Sequence, residues 1–130
     1  MANPNIVNVT TINGVTTYYT PGGTTALVLL RNAASSGQVY KINQIVCANV
    51  TGSAANATVS IYTNGGVAQG SAPSGGTAYP IISAVSVPAN ASLIAVDKTT
   101  AVYLMEDTSI SITSGTGSAL TFTVSYELIS

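Results

Sequence analysis

Polar and apolar residues alternate with a period of two along most of the chain. The pattern is clearest in four segments, ATVSIYT (57–63), ISAVSVP (82–88), SISITS (109–114) and LTFTVSYEL (120–128). In the last segment the aromatic and aliphatic residues fall on even numbers, and Thr, Ser and Glu fall on odd numbers. Such alternation is typical of antiparallel strands with one buried face. No stripe of helical spacing occurs, so the pattern predicts an all-β protein.

Breaks rich in Gly, Asn and Pro separate these runs where turns are expected. Asn13-Gly14 predicts a tight hairpin between two Thr- and Val-rich runs, and SGTG (114–117) predicts a hairpin between the last two strands. In VSVPANASLIAVD (85–97), Pro88 ends one strand, ANAS turns the chain and LIAVD returns. About eight or nine strands result, which predicts a single-domain antiparallel β-sandwich. Jelly-roll-like and immunoglobulin-like topologies are both open.

The N-terminal residues form a separate case. Residues 1–20 are predicted to be a strand pair or arm, and residues 21–130 the sandwich, within one domain overall. The apolar residues Ile6, Val7 and Val9 fit either the first strand of the domain or an arm that adds to a neighbour's sheet edge. They are therefore candidate interface residues.

The longest irregular segment is NGGVAQGSAPSGG (64–76). Its Gly, Ser, Ala and Pro content does not favour regular structure, and its length is at the upper end for loops of compact domains. Two forms are equally compatible with this segment: a flexible, solvent-exposed loop, or an arm that becomes ordered against a neighbouring subunit. Asn64 and Gln69 are the amides that such an arm would use, so both are candidate interface residues.

Charge is scarce, at 5% of residues against about 25% in ordinary soluble domains. The net charge of -1 provides no basic surface for nucleic acid or for an anionic membrane, and near-zero charge favours association. The apolar runs at 26–30 and 45–50 are far shorter than the roughly 20 residues of a membrane-spanning helix. The N-terminal sequence lacks a secretory pattern, so folding in a cytosol is expected.

The sequence offers few reactive groups. The absence of histidine removes the commonest general base and metal ligand, and Cys47, a lone thiol, is expected to be buried on a strand. Glu106 and Asp107 are adjacent, which predicts the turn before a strand, with calcium binding as the lesser alternative. Asp97 is interpreted as another turn residue. No catalytic, cofactor or metal site is predicted, and the chain is not expected to be an enzyme.

Tyrosine dominates the aromatic residues, with seven Tyr against one Phe and no Trp. Tyrosine fits the edge of a core, with its ring buried and its hydroxyl in water, and it is also enriched at interfaces. Tyr18 and Tyr19 are the strongest interface candidates of the seven, because adjacent strand residues cannot both face one core.

Three segments together resemble a known family: KINQIVCANVTGSAANATVSIYTNGG (41–66), AYPIISAVSVPANASLIAVDKTTAVYLMEDTSISITSG (78–115) and TFTVSYELIS (121–130). They are similar to small virion structural proteins of tailed bacteriophages, notably cyanophages, with the best-matching pieces at 51–61, 87–109 and 124–130. The resemblance implies a β-sandwich in the virion, made in the host cytoplasm. The implied partners are the major capsid protein or other virion proteins and further copies of the chain, with a trimer expected.

The leading functional hypothesis is a non-enzymatic capsid decoration, or cement, protein that binds and stabilises the assembled lattice. The alternative is a component of the tail, collar or fibre. A host-surface glycan-binding module is a third hypothesis, which would require exposed aromatic and amide groups clustered in one region.

Overall fold

Nine β-strands and one short 3₁₀ helix make up the fold in a computed structural model that describes residues 8–130. The elements in chain order are β1 (Ile12–Tyr19), β2 (Leu27–Asn32), β3 (Val39–Asn49), β4 (Ala55–Tyr62), β5 (Ala78–Val87), β6 (Ser92–Val96), the 3₁₀ helix (Lys98–Thr100), β7 (Val102–Leu104), β8 (Thr108–Ser114) and β9 (Leu120–Ile129). The all-β class and the strand number predicted from the sequence are confirmed.

The strands form two antiparallel sheets that pack face to face. Sheet A has the order β1-β9-β3-β6, with β7 also paired to β3, and sheet B has the order β2-β8-β4-β5. The pairs are nested along the chain: β1 with β9, β2 with β8, β3 with β6 and β7, and β4 with β5. This nesting is a jelly-roll topology. It differs from the immunoglobulin order, which keeps the first two strands in one sheet.

The core lies between the inner faces of the two sheets. On β9 the alternation is regular from Leu120 to Glu127, where the even-numbered residues are buried and the odd-numbered residues are partly exposed. The largest side chains with essentially no exposure come from both sheets: Phe122, Leu29, Ile42, Ile45, Leu104, Ile110, Ile112 and Leu120. Each strand therefore has one apolar face that is stable only against the other sheet.

The hairpin predicted at Asn13-Gly14 is wrong. Both residues lie inside β1, where they pair with Leu128 and Glu127 of β9. The positive-φ glycines of the described chain do not include Gly14, so no type I′ turn forms there. The β-forming residues on both sides of the pair share one long-range partner strand, and that pairing overrides the local turn propensity. Ile6 and Val7 lie outside the described residues, as do the other residues at positions 1–7 of the predicted arm.

The hairpin predicted at 114–117 is also wrong, because this turn carries the chain from β8 in sheet B to β9 in sheet A. The turn at 88–91 is found where predicted, with Asn90 at φ 56° and the Ala91 N–H donated to the Pro88 carbonyl at 3.2 Å. It too crosses between the sheets, from β5 to β6. Turn residues show where the chain bends, but the destination of the next strand depends on which sheet can bury it.

Truncation of Phe122 to Ala should cost about 3–5 kcal/mol of unfolding free energy, because the ring is fully buried between the sheets and its loss leaves a cavity. Thr123→Ala, on the outward face of the same strand, is the matched control and should change the unfolding free energy by less than about 0.5 kcal/mol. Urea unfolding followed by tyrosine fluorescence measures both. Equal losses in the two variants would contradict the assignment of inner and outer faces.

Candidate interface surface

The acidic residues near β6 and β8 have separate structural tasks. Asp97 precedes the 3₁₀ helix, and its Oδ1 accepts the backbone N–H groups of Thr99 at 2.9 Å and Thr100 at 3.2 Å. A hydrogen bond from the Thr99 hydroxyl, together with these two, holds the Asp97 carboxyl pKa below its usual value. The turn role predicted for Asp97 is thereby confirmed as a helix cap.

Asp107 lies in the turn before β8, as predicted, with φ 58° in the left-handed region. Its Oδ1 accepts the backbone N–H of Gly65 at 3.1 Å, a contact across 42 positions of the chain. Glu106, its neighbour, is half-buried. Within residues 8–130 no group of three or more Cys, Asp or Glu side chains is placed to hold a metal ion. The Asp107 carboxylate instead fixes the start of the 64–76 segment.

The 64–76 loop, as we call this segment, extends sheet B at its edge. The Gly70 N–H is donated to the Val28 carbonyl, and the Val28 N–H to the Ser71 carbonyl, each at 2.9 Å. Small residues make this approach possible: a Cβ on Gly65 would lie 2.2 Å from the Asn32 carbonyl oxygen. The loop therefore packs against its own chain, an arrangement that neither predicted form anticipated.

Gln69 joins the edges of the two sheets. Its Nε2 lies within hydrogen-bonding distance of the Leu29 carbonyl on β2 at 2.8 Å, and of the Thr17 hydroxyl and Tyr18 carbonyl on β1 at 3.1 and 3.4 Å. Asn64 is likewise used within the chain, because its carbonyl accepts the Ser109 hydroxyl at 2.9 Å. The Gln69 amide and the Asn64 backbone carbonyl thus bind the loop to the sandwich, whereas the Asn64 side-chain oxygen accepts the Gly66 N–H within the loop at 2.7 Å.

The edge of β5, on the other side of sheet B, is irregular. Its register with β4 shifts twice, Pro80 has no N–H to offer, and Ala84 has a φ of 49° and donates its N–H back to the Thr58 hydroxyl at 2.9 Å. Bulges and proline are the usual means by which natural edge strands avoid pairing with other chains. The faces of the sandwich are therefore better suited to association than this edge.

The outer face of sheet B is largely closed. Outward residues of its two central strands are buried, among them Tyr62 at 8% and Ser109 at 0% exposure. The 64–76 loop contacts both: the Gly76 N–H is donated to the Tyr62 hydroxyl at 3.0 Å, and the Asn64 carbonyl accepts the Ser109 hydroxyl. Among the described residues, none forms a comparable cover over the centre of sheet A.

We call the outward side of sheet A the sheet A face. Its side chains form rows across the strands, because β1 pairs with β9, β9 with β3, and β3 with β6 and β7. Three rows matter here: Gly14–Glu127–Lys41–Tyr103, Thr16–Ser125–Gln44, and Tyr18–Thr123–Val46–Ile94. A fourth row continues with Thr20, Thr121, Ala48 and Ser92.

Hydroxyl groups and one ion pair supply most of the polarity of the sheet A face. Thr16 and Ser125 are hydrogen-bonded through their side chains at 3.0 Å. Lys41 Nζ lies 3.9 Å from Glu127 Oε2, and the Asn43 amide donates to the same oxygen at 3.2 Å. A half-exposed pair of this length contributes little to folding stability. The other residues of the central rows are uncharged.

Half of the large exposed hydrophobic residues in the described chain lie on this face. They are Tyr18 at 69%, Ile94 at 56%, Ile12 at 53% and Tyr103 at 47% exposure. Tyr19, next to Tyr18, packs against the core instead, so the prediction that the two rings face opposite ways is confirmed. Val9 is half-buried and precedes β1. The sheet A face is therefore the strongest candidate interface.

A cleft of about 390 Å³ opens beside the centre of the sheet A face. It is lined by Asn43, Gln44, Asp97, Lys98 and Ser125. The register of β3 against β9 shifts between Ile42 and Gln44, which gives Asn43 its irregular position. The Asn43 side-chain oxygen is buried without a hydrogen-bond partner among the described residues. All five lining residues have polar side chains, so the cleft can form hydrogen bonds with a partner.

The sequence did not indicate Ile94, Tyr103 or the Lys41–Glu127 pair as parts of a surface. In LIAV (93–96) every residue is apolar, so the pattern does not show which side chains face outward. Tyr103 and Lys41 become neighbours only because β7 pairs with β3. The one usable signal was that Tyr18 and Tyr19 are adjacent on a strand, so that their side chains point to opposite faces of the sheet.

Cys47 is fully buried in β3, as predicted. Burial raises the pKa of its thiol to about 11. Tyr40 and Tyr126 stack with ring centroids 5.0 Å apart, and burial raises the pKa of both phenols. These groups are held in their neutral forms and belong to the core.

No helix in the described part of the chain has the length and apolar character needed to cross a membrane. Comparison of the chain with models of known protein families, with curated protein sequences and with solved structures finds no match in any of the three.

Replacement of Gln69 by Ala should open the 64–76 loop without unfolding the sandwich. The loss of its amide contacts removes about 1 kcal/mol of local stability, which corresponds to a roughly fivefold faster cleavage of the loop by subtilisin under native conditions. Ser74→Ala, at an exposed serine of the same loop, is the control and should be cleaved at the wild-type rate. Equal cleavage of all three proteins would show that Gln69 does not hold the loop.

The protein should lose stability as the pH rises above about 9. An exposed thiol titrates near pH 8.5, and the folded Cys47 titrates at about 11. The neutral Cys47 thiol therefore contributes its full stabilisation below the pKa of the unfolded chain. This stabilisation is lost as the pH rises through the pKa of the folded protein. The raised phenol pKa values of Tyr40 and Tyr126 act with the same sign.

Urea unfolding at pH 7, 9 and 10.5 measures this loss, and a thiol-reactive dye at pH 8 provides an independent check. The dye should label Cys47 only at urea concentrations that unfold the protein. Cys47→Ala should retain the tyrosine part of the pH dependence and lose the thiol part. Rapid labelling of the native protein would contradict a buried, protonated thiol.

Proposed function

We propose that the chain is a non-enzymatic structural protein of a bacteriophage particle and that it acts as a capsid decoration protein. The observation that carries the proposal is the sheet A face, whose described residues include an ion pair and half of the exposed large hydrophobic residues. Several exposed aromatic and aliphatic side chains on one face of a folded domain favour association with another macromolecule. The jelly roll supports the proposal, because capsid proteins use it widely, although a fold alone does not define a function.

The physical basis of decoration is linkage. A protein that binds only the assembled lattice stabilises that state by mass action. When several contacts form at once on one shell, each contact can be weak and the total still strong. A low-charge surface suits this task, because copies bound close together on a shell do not repel one another. The major capsid protein is the proposed lattice partner, in a virion assembled in the host cytoplasm.

A tail, collar or fibre component would use the same kind of surface, and the number of copies in a particle separates the two locations. Decoration requires hundreds of copies and a tail component tens or fewer. Quantitative gel densitometry of purified particles, scaled to the major capsid protein, should give hundreds of copies of the chain. A count of tens would favour the tail, and absence from the particle would overturn the proposal.

Addition of the purified chain to capsids that lack it tests binding directly. Decorated capsids should retain the chain through sedimentation and resist a higher temperature before they rupture. Unassembled capsid protein is the control and should not bind, because the site is created by the lattice. Binding to host polysaccharide with no binding to capsids would instead favour the glycan-binding hypothesis, for which Tyr103 and the amides of the cleft would be the candidate groups.

A further inference from the structure

We infer that the sheet A faces of two copies pack together about a two-fold axis that runs along the strands between β9 and β3. Such an axis exchanges the two sides of the sheet, so that β1 of one copy lies over β6 and β7 of the other and β9 lies over β3. In a two-fold interface, if one residue of the first copy contacts a second residue of the other copy, the reverse contact also forms. Each such contact therefore occurs twice. The rows of the sheet A face can therefore be tested for self-complementarity, one row at a time.

The charged row is complementary to itself. It runs Gly14–Glu127–Lys41–Tyr103 across the four strand positions. The two-fold axis places Glu127 of each copy over Lys41 of the other, so that one ion pair within each chain becomes a square of four alternating charges. A two-fold axis across the strands that runs along this row would, by contrast, place Glu127 over Glu127. Opposite charges in register favour one orientation and disfavour others.

The ends of the same row are complementary in size. The exchange places Gly14 under the ring of Tyr103 from the other copy, and that ring is 47% exposed in the single chain. Nothing in the described chain lies within 4 Å of the position where a Cβ of Gly14 would stand. An open position on one strand thus meets a projecting ring, as shape-complementary interfaces require.

The apolar row is complementary as well. It runs Tyr18–Thr123–Val46–Ile94, and the axis places Tyr18 over Ile94 and Thr123 over Val46. Tyr18 and Ile94 are the two most exposed large residues of this face, and they lie about 14 Å apart, or three strand spacings, on one chain. Two Tyr–Ile contacts would therefore flank the axis symmetrically.

The area is sufficient for a specific pair. Four strand positions about 4.8 Å apart, each covered on average by about nine residues at about 3.4 Å per residue, present roughly 600 Å² on each copy. The pair would bury about 1,200 Å² in total, at the lower end of stable specific interfaces. Two sheets packed in this way lie about 30° apart in strand direction. The net charge of -1 opposes the approach of two copies only weakly.

A two-fold pair would replace the trimer expected from the sequence. It would also carry two identical outer surfaces facing apart, which suits a bridge between neighbouring capsomers. That bridging role depends on the proposed function, whereas the pairing does not, because it concerns the purified chain alone. Failure of the pair in solution and failure of capsid binding are thus separate results.

Sedimentation velocity of the purified full chain over a concentration series tests the pair. The wild-type protein should reach about twice the 13.0 kDa chain mass, and Gly14→Tyr should weaken dimerisation at least about tenfold by occupying the space of the Tyr103 ring. Gly14→Tyr should not destabilise the monomer, because the position is open and tyrosine favours strands. Tyr79→Ala, at a ring of similar exposure on β5, is the control and should leave dimerisation unchanged.

A charge exchange distinguishes contact across the pair from contact within a chain. Lys41→Glu and Glu127→Lys should each weaken their own dimers about tenfold, because like charges then face each other. A mixture of the two variants should form a mixed dimer within about threefold of wild-type affinity. Rescue by mixing can come only from contact between chains, since the like charges within each chain remain.

Native mass spectrometry of the mixture identifies the mixed dimer, and only folded chains can form it. A wild-type monomer at all concentrations, or a trimer, would overturn the inference. A dimer that tolerates both Gly14→Tyr and Lys41→Glu would show that another surface is used. A mixture of the charge variants that forms no mixed dimer would equally exclude the proposed two-fold axis.

Discussion

Burial of one face of each sheet against the other is the constraint on which the rest of the structure depends. The side chains that fill the space between the sheets, such as Phe122 on β9 and Ile112 on β8, are completely removed from solvent. Because strand side chains alternate, this burial also fixes which residues point outward. The sheet A face is thus a direct consequence of the core: its Thr, Ser, Lys and Glu residues are the alternate positions of strands whose other positions are apolar.

A sandwich of two sheets has edges as well as faces, and this chain protects three of its edges with very few charged residues. Gln69 and the backbone of the 64–76 loop occupy acceptors and donors at the edges of β1 and β2. Pro80 and two register shifts make the edge of β5 irregular. Edge strands commonly rely on charged side chains to prevent aggregation. A chain with 5% charged residues uses backbone geometry for the same purpose.

The protected edges of β1, β2 and β5, together with an open face, favour association through the sheet A face. The outer side of sheet B contacts the 64–76 loop at Tyr62 and Ser109, whereas the sheet A face displays Tyr18 and Ile94. The Lys41–Glu127 contact contributes little to folding stability. In the proposed two-fold pair, the same two charges would set the orientation of the partner copy. Specificity then comes from the arrangement of very few charges.

The sequence by itself determined the all-β class, the opposite orientation of Tyr18 and Tyr19, the burial of Cys47 and the turn at Asp97. Each of these depends on spacing or propensity within a few residues. The sequence did not determine that Asn13-Gly14 continues a strand, that 114–117 crosses between sheets, or that the 64–76 loop binds its own sandwich. Those outcomes depend on partners such as Leu128, Val28 and Asp107, which are distant in the chain. The rows of the sheet A face were likewise decided only by tertiary structure, since side chains from five strands become neighbours through pairing register, and register is a property of strands already brought together.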